Sequence, residues 1–170
     1  MSWRRFFPWM GAAPKALCAR FSTLFFLGSL KAPGTWGSLA GSVFAYFLMR
    51  GMSPAAYAAL ALLLIYVSVG VCDVAERFFG QKDPGKINLD EFAAMPVCYF
   101  GIFCGPFAPA SPLLWALLGF ALFRFFDILK PLGINKIQNL DGGLGCVADD
   151  AAAGAVVCVI LNVLAFFVNF

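Results

Sequence analysis

Residues 55–72 and 151–168 each run for 18 positions without a charged side chain. Wound as helices at about 1.5 Å per residue, each would measure about 27 Å, close to the ~30 Å hydrocarbon core of a bilayer. Surfaces this apolar cannot both be hidden inside a chain of 170 residues, of which 62% are hydrophobic and 12% charged. An ordinary soluble domain carries about 25% charged residues. The chain therefore reads as an integral membrane protein.

Three further apolar runs, at 39–49, 92–104 and 113–123, hold only 11 to 13 residues. To cross they must borrow flanking residues, Asp90 and Glu91 for the third run and Arg124 and Asp127 for the fourth. Charges set at or below a membrane surface are expensive, which makes them functional candidates. With all five runs crossing and turns at 50–54 and 105–112, the expected fold is all-α, a polytopic bundle of about five membrane-inserted helices.

In that arrangement the N-terminal arm and segments 73–91 and 124–150 share one face, with all nine acidic residues and every Lys and Arg except Arg50. The positive-inside rule makes that face cytoplasmic and puts the C-terminal Phe170 outside, whereas a re-entrant first run would invert the count. Residues 1–32 form a basic arm. Its "SWRRFFPWM" and "FSTLFFLGSL" stretches resemble export signals, but no small-x-small site closes the apolar stretch. A basic amphipathic helix lying in the membrane interface is the expectation there, followed by a single membrane-embedded domain over 33–170.

There is no histidine. Histidine-nucleophile phosphatases and most zinc sites are thereby excluded. No Asp-x-Asp-x-Thr/Val stretch occurs, and "CDVAER" brings Arg77 five positions after Cys72 where a cysteine phosphatase needs six. The six cysteines form no C-x-x-C pair; those in apolar runs read as packing residues, without disulfides on a reducing face.

What remains is carboxylate chemistry. Asp83, Asp90 and Glu91 form one cluster, and Asp127, Asp141, Asp149 and Asp150 another, each with an adjacent acidic pair at the start of a span. Acidic residues also suit the first turn of any helix, where they offset the dipole. Two such pairs on one face, with Asp127 in a short span, favour a hard divalent cation such as Mg2+. Basic residues alternate with them: Lys82 and Lys86 near the first pair, Arg124 and Lys130 around Asp127. A metal with cations suits a phosphate ester. Arg77 and Lys136 read as side chains reaching for the head-group zone. Glycine-rich "APGTWGSLAG" (32–41) and "DGGLGCVADD" (141–150) lead into spans and offer backbone N–H groups to an anion. Thr35 and Ser38 in the first stretch are either helix caps or phosphate contacts.

Three stretches, "GTWGSLAG", "KDPGKINLDEFAA" and "FRFFDILKPLGINKIQNLDGGLGCVADDAAAG", together resemble the bacterial phosphatidylglycerophosphatase A family over about 33–154. The resemblance implies a small multi-pass helical protein of the bacterial inner membrane. It would remove the terminal phosphate of phosphatidylglycerol phosphate at the cytoplasmic face, with Mg2+. The family's acidic residues fall at Asp83, Asp90, Glu91, Asp127, Asp149 and Asp150, and its basic ones at Arg124 and Lys130. Two departures stand out: Ala94 where the family pattern has Gly, and Cys146-Val147-Ala148 in place of a bulkier apolar stretch.

On this reading Asp90, Glu91, Asp149 and Asp150 hold metal. Arg124 and Lys130, with Lys82, Thr35 and Ser38, hold phosphate, and Asp83 or Asp127 takes a proton. Direct attack by water and an aspartyl-phosphate intermediate both remain open. The partners are the bilayer and a membrane phospholipid, not nucleic acid. The rivals are a phosphatase for another lipid, such as phosphatidic acid or a polyprenyl phosphate, and a small ion transporter.

Overall fold

A computed structural model describes residues 3–105, 111–131 and 133–168. The centre of the turn expected at 105–112, and Phe170, lie outside the described residues. Among those described, the chain is helical and contains no strand.

Among the described residues three helices are long and apolar enough to cross a membrane, not five: α3 (Pro54–Phe79), α5 (Pro112–Leu129) and α7 (Gly143–Val168), with the single-turn α6 (Ile134–Ile137) between the last two. The fourth apolar run does lengthen by taking in Arg124 and Asp127, which fall in the last two turns of α5. The first run folds as α2 (Pro33–Phe44) and a π-helical turn, Ala45–Met49, short of a full crossing. The third becomes α4 (Leu89–Cys98), whose ten residues rise only about 15 Å. The reason is burial. Ala93, Ala94, Met95 and Cys98 are wholly enclosed by protein, so α4 is a core helix whose apolar residues face neighbouring helices rather than lipid.

Small residues permit that enclosure. A methyl group on Gly37 would strike the Asn88 backbone, and one on Gly41 would meet the Phe92 carbonyl and the Met95 side chain. These two glycines, four apart on one face of α2, let its backbone lie directly on α4. On the other side Gly154 of α7 stands against the Ala94 carbonyl, where an added Cβ would be 3.0 Å away.

The helices alternate in direction. α2, α4 and α7 start, and α3 and α5 finish, at one end of the bundle, where the Lys130–Asp149 and Arg124–Asp127 pairs lie. At the opposite end the Gly51 N–H donates to the Phe103 carbonyl (2.9 Å), tying the α2–α3 turn to the turn after α4. Arg50 sits there, its guanidinium 4.8 Å from the centre of the Tyr46 ring. α3 opens on Ser53, whose hydroxyl accepts the Ala56 N–H at 3.3 Å, and Pro54; it closes on Gly80 in the left-handed conformation. The outer flanks carry exposed Leu62, Leu113, Leu117, Phe125, Ile128, Val159 and Phe167, the surface a bilayer would cover.

The N-terminal arm is not one interfacial helix. It makes 3-10 turns at Trp3–Phe6, Pro8–Gly11 and Leu27–Ser29 around a short helix, α1 (Lys15–Ser22). The apolar 21–30 stretch breaks because Leu24 and Phe25 both take positive φ, 43° and 61°. The arm lies on α3: the Phe7 ring stacks on Tyr66 with centroids 4.5 Å apart, and the Tyr66 hydroxyl donates to the Phe6 carbonyl at 2.8 Å.

Candidate active site

At the charged end a cavity of about 170 Å3 is lined by Asp83, Gly85, Ile87, Asp90, Glu91, Asp127, Lys130, Cys146, Asp149 and Asp150. Four segments build it. The α3–α4 loop brings Asp83, the first turn of α4 brings Asp90 and Glu91, the end of α5 brings Asp127 and Lys130, and α7 brings Cys146, Asp149 and Asp150.

Two of these side chains stand on strained backbone. Asp83 and Lys130 have φ of 44° and 42°, a conformation costly for non-glycine residues and concentrated at functional sites. Asp83 is held by neighbours: its N–H donates to Glu76 Oε1 at 2.7 Å, and its carboxylate accepts the Gln138 amide. Lys130, the C-cap of α5, pairs with Asp149.

Asp149 and Asp150 do not start their helix as expected. α7 begins at Gly143, so the pair lies almost two turns inside it. The glycine-rich loop winds into helix because Gly143, without a side chain, can press against the Val69 carbonyl and the Asp73 backbone. Offsetting a helix dipole therefore accounts for Asp90 and Glu91 in part, and for Asp149 and Asp150 not at all.

One oxygen each from Asp90, Glu91 and Asp150 lie within 4.8 Å of one another, as do ligand atoms of Asp83, Asp90 and Cys146. Of the four acids expected to hold metal, three meet directly, while Asp149 is shared with Lys130. Glu91 Oε2 and Asp149 Oδ1 are buried without a hydrogen-bond partner among the described residues. Burial pushes the Asp90 carboxyl above its ordinary range. Glu91 is pushed well above its own, by burial first and by the charge of Asp90 second. Burial pulls Lys130 down, but the hydrogen bond and charge of Asp149 outweigh it and raise the amine overall. The cluster is short of positive charge.

Arg124 is a bridge behind the cavity. Its Nη1 donates to Asp127 Oδ2 at 2.6 Å and to Ser38 Oγ at 3.3 Å, and stands 3.8 Å from Glu91 Oε1. Gly34 allows α2 to approach: a Cβ there would collide with Glu91 Oε1 and lie 3.0 Å from Arg124 Nη1. Ser38 thus reaches Arg124, donating its own proton to the Gly34 carbonyl at 2.7 Å. Thr35 is absent from the cavity lining. Lys82 lines a separate pocket with Asp83, Gln138 and Asn139.

Sequence reasoning missed Cys146, whose thiol donates to Asp90 Oδ2 at 3.0 Å. Its spacing, three and four positions before the acidic pair on one helix face, was the available signal. It also missed Asp73 as a partner for Arg77, which does not simply reach for head groups. Arg77 and Arg4 both pair with Asp73, at 2.8 and 2.9 Å, and the Gly143 N–H adds a third donor at 3.4 Å.

The class these features define is a small helical membrane protein with a buried acidic cavity, faced by lysine and backed by arginine, at one end of its bundle. Residues 20–165 match the family model described as phosphatidylglycerophosphatase A. The chain belongs to that family and is a phosphatase. It is 31% identical over 137 residues to phosphatidylglycerophosphatase A of Haemophilus influenzae, covering 80% of each chain. To that of Escherichia coli it is 33% identical over 125 residues, 73% of this chain and 69% of the relative. A Bacteroides thetaiotaomicron protein described provisionally as a phosphatidylinositol-3-phosphatase is 32% identical over 139 residues, 78% of this chain and 82% of that one. No solved structure matches.

Proposed function

We propose that the protein hydrolyses the terminal phosphate of phosphatidylglycerol phosphate to phosphatidylglycerol, with Mg2+, at the cytoplasmic face of the bacterial inner membrane. The observation that carries the reading is the meeting of Asp90, Glu91 and Asp150 oxygens in one cavity with Lys130. An all-oxygen carboxylate set with a buried unpartnered oxygen on Glu91 fits a hard divalent cation. When bound, such an ion polarises phosphoryl oxygens and neutralises charge that would repel the substrate.

The chain's own groups do the rest. Lys130 extends a cation into the cavity, and Arg124 holds Asp127 in place from behind. Asp83, fixed by Gln138, and Asp127, fixed by Arg124, are the carboxylates positioned to take a proton from water as its oxygen bonds to phosphorus. The phosphorus–glycerol oxygen bond breaks as the new bond forms, and the departing oxygen takes up the proton that the carboxylate removed from water, which leaves the alcohol, inorganic phosphate and the carboxylate restored. The exposed apolar flanks of α5 and α7 leave the acyl chains in lipid.

Comparable identity to a relative described by another lipid phosphate favours a second reading, a phosphoinositide substrate. Phosphate release by the detergent-purified protein from phosphatidylglycerol phosphate, phosphatidic acid and phosphatidylinositol 3-phosphate, with Mg2+ or chelator, separates them. Selective, metal-dependent cleavage of the first, lost in Asp90→Asn, is the expected result. Preference for the phosphoinositide establishes the second reading, and cleavage undiminished by chelator overturns the metal.

A further inference from the structure

The largest cavity described lies outside the acidic site. It is an open groove of about 440 Å3 between the N-terminal arm, the end of α3 and Lys86 of the loop that follows. That volume falls within the range of small-molecule sites and far exceeds a bare phosphate. Its walls are mostly apolar, with Phe25, Phe78 and Phe79 prominent, and among the described residues Arg20 and Lys86 are the charged ones that line it. Lys86 lies 3.6 Å from the centre of the Phe79 ring. Phe21, Phe25, Phe26 and Phe78 are exposed beside it. Two cations lining an aromatic pocket, at the charged end of a membrane bundle, complement an anionic head group with an attached apolar chain.

We infer that this cavity is a binding site for an anionic phospholipid of the surrounding bilayer, its phosphate between Arg20 and Lys86 and an acyl chain against Phe25, Phe78 and Phe79. The site is built into the catalytic neighbourhood. Lys86 faces this cavity while Gly85 and Ile87 on either side of it line the acidic one. The Asn88 N–H also donates to the Ser22 carbonyl of α1 at 2.9 Å, which ties the arm to the loop leading to Asp90. A lipid that holds the arm down holds that loop. The inference does not depend on which lipid phosphate the enzyme cleaves.

The test uses the full chain in vesicles of phosphatidylcholine with or without phosphatidylserine. Lipid retained after mild detergent extraction is then measured by mass spectrometry. Wild type should retain phosphatidylserine. Arg20→Ala/Lys86→Ala should weaken retention by about 30-fold, the effect of two basic residues at an anionic surface. Both side chains are exposed, so folding should survive their loss. Ala16→Trp, which fills the cavity and keeps both charges, should lower retention as well. Lys15→Ala/Lys31→Ala, basic residues of the same arm outside the cavity, should not. Equal loss in the control pair means diffuse attraction to a charged surface and overturns the site, as does retention by the cavity-filled variant.

Discussion

Two buried acidic centres lie within the same end of the bundle, and they are resolved in opposite ways. Asp73, 1% exposed, is surrounded by donors: Arg4, Arg77 and the Gly143 N–H all reach its carboxylate. Six carboxylates line the neighbouring cavity, with Lys130 among them and Arg124 behind. A buried charge that is fully paired fastens the structure together, here the N-terminal arm to α3 and α7. A cluster with more carboxylates than cations is the arrangement that the proposed divalent cation would complete.

The difference can be broken most sharply at Asp150. Asp150→Asn removes one of the clustered carboxylate oxygens proposed to hold metal, and some like-charge repulsion. Turnover should fall by more than the ~100-fold that loss of an outer-shell partner costs, while the melting temperature without metal holds or rises. Asp73→Asn should do the reverse. It should lower stability by about 1–3 kcal/mol, an amount limited because Arg4 and Arg77 are half exposed, and leave turnover of the folded protein within a few-fold. Thermal melts and phosphate-release rates on the two variants check both halves; matching profiles would erase the distinction.

The smallest effect concerns pH. Glu91 holds its proton above its ordinary value of 4.5, so the folded protein without metal binds a proton that the unfolded chain releases. Its stability contribution is present below that ordinary value and declines as pH rises toward the folded-state value. Melting temperature in chelator should therefore fall with rising pH in that window, and added Mg2+ should flatten the trend. A melt independent of pH in chelator would show Glu91 already compensated.

The acidic site was legible in the sequence because charge is conspicuous in a chain this apolar. Asp83, Asp90, Glu91, Asp127, Asp149 and Asp150 were all marked by charge and neighbours, and all line one cavity. Span number was less legible. Runs of 11 to 13 apolar residues look alike whether lipid or protein surrounds them, and only packing through Gly37, Gly41 and Gly154 distinguishes α4 as core. Thr35 and Lys82 illustrate the same limit. Proximity to Asp90 and Glu91 put Lys82 with the phosphate site, and a glycine-rich stretch did so for Thr35, but Lys82 lines another pocket and Thr35 is not among the residues that line the acidic cavity. Cys146 was hidden because it sits in the glycine-rich 141–150 stretch, which reads as a loop, so that its shared helix face with Asp149 and Asp150 appears only once α7 is seen to begin at Gly143.

The acidic cavity sits at the end of a bundle whose flanks are apolar, which confines enzyme and lipid substrate to the same two-dimensional phase. Encounters then depend on how crowded the substrate is within that plane, rather than on how much of it a given volume of suspension contains. Spreading a fixed amount of substrate through more inert bilayer should slow catalysis as surely as withholding it. A cell that enlarges its membrane would thereby throttle this step without touching the protein.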